Sequence, residues 1–162
     1  MVLNITIPVG KKPEPDIKIK KKPTRKIDED LLTRLIVAEA GNQPEKGKIA
    51  VANVVMNRLS SPLPYLTGGK KRTVSNVIQN KNAFESYTNK TLFDVKKDST
   101  DYKEANVIAK KAIDGSLEDV TKGATHFINP KIVMDRGNKL PSWYYDLEKR
   151  GIKVVSLPEI LS

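Results

Sequence analysis

The chain has 162 residues, one domain's worth with a single sizeable core, and its 38% hydrophobic and 30% charged residues fit a globular protein. No apolar run approaches the ~20 residues that cross a bilayer, and M-V-L-N-I-T-I-P-V-G lacks the basic leader and unbroken apolar core of a secretory signal, so none is expected. The net charge of +10 predicts attraction to a polyanion; the lack of cysteine excludes disulfides and thiolate chemistry, and a single histidine, His126, argues against a catalytic metal or other cofactor.

Residues 1–26 hold eight Lys or Arg against Glu14 and Asp16, a net of +6 that leaves +4 for the rest. With Pro8, Pro13, Pro15 and Pro23 and little to bury, they predict an extended basic arm, either a solvated linker or a segment docking on an acidic partner. Residues 27–162 are the expected folded domain. Its first helix is expected to start near Asp28, whose side chain can cap it, and to end at Gly41 and Asn42 in a left-handed turn. Pro44 suits the first turn of a second helix running to about Leu59. This helix is apolar over most of its circumference, as the buried centre of a domain is, with Lys46, Asn53 and Asn57 as a narrow polar stripe and Arg58 in an apolar sector.

A Pro- and Gly-rich loop, S-S-P-L-P-Y-L-T-G-G-K-K-R, precedes a short helix T-V-S-N-V-I-Q with Thr73 as its cap. From Asn80 to Asp98 no period emerges, although Phe84, Tyr87, Leu92 and Phe93 are present; long irregular segments in compact domains tend to be functional. A helix from about Thr100 to Ile113 is ended by Gly115. Thr125 to Asn129 reads as a short strand, and a second strand is expected near Ile152 to Leu157.

In L-L-T-R-L-I-V-A-E-A-G-N-Q-P, Glu39 projects into the sector occupied by Leu31, Leu32, Leu35 and Ile36. Burying a carboxyl there disfavours its charged form, the condition that a general acid needs at neutral pH. The alternatives are a Glu39 that bends to solvent or pairs with Arg58. No second acidic residue is comparably placed, whereas glycosidases usually employ two; a mechanism with one Glu as acid and then base fits this composition. Asn53 and Asn57 satisfy neighbouring backbone or bind substrate; His126 is a hydrogen-bonded strand residue or lines a cleft. Phe84, Tyr87, Trp143 and Tyr145 are core or sugar-stacking residues. The sequence lacks G-x-S-x-G, a P-loop and G-x-G-x-x-G, and nothing beyond charge supports nucleic-acid binding.

The ordered blocks L-L-T-R-L-I-V-A-E-A, P-E-K-G-K-I-A-V-A-N-V-V-M-N-R-L, T-V-S-N-V-I-Q-N-K-N-A-F, G-A-T-H-F-I-N-P and P-S-W resemble the SleB-like cell-wall hydrolase family of spore-cortex-lytic enzymes and phage lysins, over about Leu31 to Trp143. The resemblance implies a mainly helical α+β domain, distantly similar to lysozyme-type transglycosylases, with a small antiparallel sheet. It also implies cleavage of the MurNAc-GlcNAc backbone of peptidoglycan. The family's catalytic glutamate, in E-A-R-G-E, matches Glu39; its second glutamate matches Gln43, and its Arg and Gly match Gly41 and Asn42. The N-R pair matches Asn57 and Arg58, Q-F-S becomes Ala83, Phe84 and Glu85, and F/H-x-N-P is kept as His126 to Pro130. A terminal G-x-H-x-F is replaced by I-K-V-V-S-L.

The substrate-binding residues expected are therefore Gln43, Asn57, Arg58, Phe84, Tyr87, His126, Asn129 and Trp143. The enzyme is expected to be phage-encoded, carried in the virion tail or held in the host cytoplasm until lysis, with an acidic phage structural protein docked by residues 1–26. The competing expectation is an inactive structural virion or wall-binding protein of the same fold.

Overall fold

Leu31, Leu32, Leu35, Ile36 and Ala40 share one face, and burying that face fixes the first helix, α1, at Pro23–Ala40. The computed structural model describes residues 23–128, 137, 140 and 142–156. Most of the expected arm, residues 1–22, and Asn129 lie outside the described residues. Pro23 to Lys26 do not: they form the first turn of α1, so the helix begins before Asp28. A proline at a helix start costs little, because its missing N–H has no intrahelical partner there. Asp28 consequently does not cap α1. Its carboxylate accepts the Ser75 N–H at 3.1 Å and the Ser75 hydroxyl, and so serves the start of another helix.

Helix α2, Glu45–Ser60, is the central element expected, with Val51, Val54 and Val55 inaccessible to solvent. A 3-10 turn at Pro64–Thr67 follows, then α3 at Val74–Gln79, whose Asn76 N–H is accepted by the Thr73 hydroxyl at 3.0 Å, as its sequence predicts. The aperiodic segment contains α4, Glu85–Thr88, and a 3-10 turn at Thr91–Asp94, both too short to carry a period. Helix α5, Thr100–Asp114, is capped by Ser99 and closed by Gly115 at φ +86°. The left-handed turn expected at Gly41 is not formed; the Gly41 N–H continues the helical pattern to the Val37 carbonyl at 2.8 Å. Glycine is needed there for closeness, since a Cβ would stand 2.5 Å from that carbonyl oxygen.

Strands β1, His126–Ile128, and β2, Val154–Ser156, pair in parallel with Phe127 opposite Val155, correcting the antiparallel sheet expected. A tight reversal is needed for an antiparallel hairpin, whereas the connection here is long and holds a helix, α6 at Ser142–Lys149, so the chain re-enters in the same direction. This helix, which takes in most of P-S-W-Y-Y-D-L, is not among the elements that the sequence predicts.

Helix α1 ties several later segments to itself. Asp30 accepts the Tyr102 hydroxyl at 2.7 Å from α5 and pairs with Arg34, whose Nη1 donates to the Val95 carbonyl at 2.6 Å. Thr33 accepts the Asn106 amide at 3.0 Å. The main core gathers these helices; a smaller cluster of Val54, Ala124 and Val155 seats the sheet on α2.

Candidate active site

Glu39 lies in the last turn of α1, one helical turn beyond the fully buried Leu35 and Ile36, and is itself half-buried. Its carboxylate neither swings fully to solvent nor forms an ion pair with Arg58. Instead Oε2 accepts the Ser86 hydroxyl at 2.7 Å and, more loosely, the Ser86 N–H at 3.4 Å. Among the described residues no hydrogen bond is made to Oε1. One oxygen is therefore held and the other left available.

Arg58, 6% exposed on α2, donates from Nε to the Thr125 carbonyl at 2.6 Å, and its guanidinium carbon sits 4.5 Å from the Phe84 ring centroid. Burial pulls its pKa down to about 10, opposed by the nearby Tyr65 and by Glu39. Phe84 in turn stacks on Phe127 at 6.3 Å between centroids. Phe84 is thus a buried wall between guanidinium and sheet, with no face offered to a sugar.

His126 opens β1. Its ring lies 6.0 Å from Trp143, and Nδ1 is 3.0 Å from the Thr125 hydroxyl. Burial, with the charges of Arg58 and Arg150 adding to it, pushes His126 down to about 4, so the imidazole is neutral at neutral pH. Trp143, on α6, keeps 41% of its surface exposed. Glu39, Arg58, Phe84, His126 and Trp143 thus form one chain of neighbours at the meeting of α1, α2, α4, β1 and α6.

Other expected residues are engaged differently. The Asn57 amide donates to Asp119, Thr121 and the Ala124 carbonyl, and Asn53 binds the Glu118 carbonyl and Val120 N–H, so both hold the loop that leads into β1. Tyr87 packs on Phe93 with the Lys90 ammonium 4.2 Å from its ring. Gln43 packs against Gly47, where a Cβ would meet the Gln43 Cβ at 2.9 Å. Sequence reasoning missed Ser86, which lies 47 residues from Glu39 in a segment without periodicity. It also gave no role to Tyr65 and Arg150, which the fold brings together with the guanidinium carbon 5.8 Å from the ring centroid.

A carboxyl with one tethered and one free oxygen, a buried guanidinium nearby and a neutral imidazole can move a proton at an uncharged substrate oxygen and offset developing charge. No second carboxylate enters these contacts among the described residues. The model of the cell wall hydrolase family matches residues 42–156, beginning three residues after Glu39. The cell wall hydrolase CwlJ of Bacillus subtilis (strain 168) is 28% identical over 117 residues, 72% of this chain and 74% of that protein. No solved structure matches the chain. Extending over all of α2 to β2, the family match includes every element of the cluster except the helix that carries Glu39, and the chain belongs to the cell wall hydrolase family.

Proposed function

We propose that the protein cuts the glycan strands of peptidoglycan by lytic transglycosylation, with Glu39 as the single acid and base. The observation that carries this reading is the Glu39 carboxyl, with Oε2 tethered by Ser86 and, among the described residues, Oε1 open and no second carboxylate in the cluster. In the first step Oε1–H protonates the glycosidic oxygen, and the C1–O bond breaks as the leaving sugar takes the proton. The ring then carries oxocarbenium character. Glu39, now a carboxylate, removes the proton from the 6-hydroxyl of the same ring, and that oxygen closes on C1. No water is consumed, so no second base is required. The buried Arg58 supplies fixed positive charge near the acid as it ionises, and Trp143 offers an exposed aromatic face beside His126.

The basic arm belongs to the same proposal: it docks the enzyme on an acidic structural partner in a phage particle, and deleting residues 1–22 abolishes that docking while leaving strand cleavage. The test of the chemistry is mass spectrometry of purified peptidoglycan after digestion. Anhydro-ended muropeptides support the proposal, whereas reducing ends place a water and a second base in the reaction and overturn it. Strand binding without products returns the structural reading.

A further inference from the structure

Tyr65 and Arg150 stand next to the candidate active site and neither is explained by packing. Tyr65 is 42% exposed, on the 3-10 turn that follows the helix carrying Arg58. The Arg150 guanidinium carbon lies 5.8 Å from the Tyr65 ring centroid, well beyond stacking contact of ~3.5–4 Å, and its charge reaches His126. Among the described residues this guanidinium has no hydrogen bond and no ion pair.

The backbone that presents the two groups is fixed on both sides. Tyr65 rides a 3-10 turn whose Leu66 and Thr67 are buried, and its carbonyl accepts the Asn80 amide at 2.6 Å. Arg150 follows α6, which is anchored by the buried Leu147. Its N–H bonds to the Asp146 and Leu147 carbonyls, and Gly151 at φ +72° then turns the chain toward β2. An aromatic face and a cation without a hydrogen bond or ion pair among the described residues, each borne on hydrogen-bonded backbone, suit a ligand that has an apolar ring face with an anion attached.

We propose that Tyr65 and Arg150 form a subsite for a carboxylate-bearing sugar of the strand, the ring supporting the pyranose and the guanidinium taking the carboxylate that hangs from it. This rests on the glycan-strand reading above and adds what the enzyme recognises beside the scissile bond. A muramoyl residue presents such an anion from two sources: its lactyl group when unsubstituted, or its peptide stem.

The test compares wild type, Arg150→Gln and Tyr65→Ala by turnover and by calorimetric binding on three soluble strand preparations: stem-bearing, amidase-stripped, and stem-bearing with carboxylates capped as methylamides. Arg150→Gln should raise KM and weaken binding about tenfold on strands with free carboxylates, kcat being unchanged. Wild type should lose the same factor on capped strands, where the variant loses nothing further. A loss confined to stem-bearing strands names the stem carboxylate; a loss on stripped strands names the lactyl group. Tyr65→Ala should weaken binding to all three. Equal affinity of Arg150→Gln and wild type for carboxylate-bearing strands overturns the subsite even if every protein cleaves. Binding that discriminates as described without cleavage by wild type upholds the subsite and overturns the catalytic reading instead.

Discussion

Replacing Ser86 by alanine removes the 2.7 Å hydroxyl bond to Glu39 Oε2 and leaves only the 3.4 Å contact from the Ser86 N–H. Ser86 is 5% exposed, so no bulk water replaces the lost donor. A hydrogen bond to a charged group contributes ~1.5–3 kcal/mol. If that bond sets the carboxyl rotamer that aims Oε1 at the glycosidic oxygen, kcat falls about 10- to 100-fold in Ser86→Ala. KM stays near wild type, because Ser86 is a positioning residue that does not touch the strand. Turnover of soluble glycan strands, with thermal melting alongside, gives the measurement, and Ser86→Thr should restore most of kcat by restoring the hydroxyl. An unchanged kcat with a lowered Tm would refute the reasoning, leaving Ser86 as a packing residue; so would a rise in KM alone.

Glu39→Gln keeps the shape of the side chain and removes the acid, and turnover should fall at least about a hundredfold; wild-type rates would remove Glu39 from the mechanism. Glu85→Gln, which alters the acidic residue adjoining Ser86 in sequence, should leave strand cleavage within about twofold, and a loss comparable to that of Glu39→Gln would reveal the second carboxylate that a transglycosylase does not need. His126 has its pKa depressed to about 4 from 6.5, so the unfolded chain binds the extra proton first as pH falls. Its contribution to stability is complete above pH 6.5 and is lost between there and about pH 4; Tm measured over that window should fall less steeply in His126→Asn. Asn53→Ala orphans the Glu118 carbonyl and the Val120 N–H and should cost about 1–3 kcal/mol in denaturant unfolding; an unaltered midpoint would show that this loop is not anchored through Asn53.

Sequence carried the helices that bury a stripe. Leu31 to Ala40, the apolar circumference of α2 and the Thr73 and Gly115 caps are local signals, and each element lies within a few residues of its expected place. Interactions between distant segments were not legible. Asp28 has the chemistry of a cap, and only the tertiary fold reveals that it serves Ser75, 47 residues away. Strand direction follows from α6 within the connection, and α6 is an eight-residue helix with Leu147 as its buried residue, too short for a helical period to stand out in the sequence. In the candidate site, Glu39 stood out because it is costly in its sector. Arg58 and His126 were legible as polar residues in apolar company. Ser86, Tyr65 and Arg150 occupy ordinary polar or exposed positions, and their roles arise from neighbours that no spacing encodes.

The attachments of α1 bear on when the acid comes into being. The helix that ends in Glu39 is held through Asp28 to α3, through Asp30 and Thr33 to α5, through Arg34 to the Val95 carbonyl, and through Glu39 itself to α4. Each of these is a contact between segments far apart in the chain, the kind that forms late because loop closure must precede it. The setting of the Glu39 carboxyl therefore depends on tertiary contacts rather than on its own helix alone. A nascent or partly unfolded chain carries the residues of the candidate site but not their arrangement.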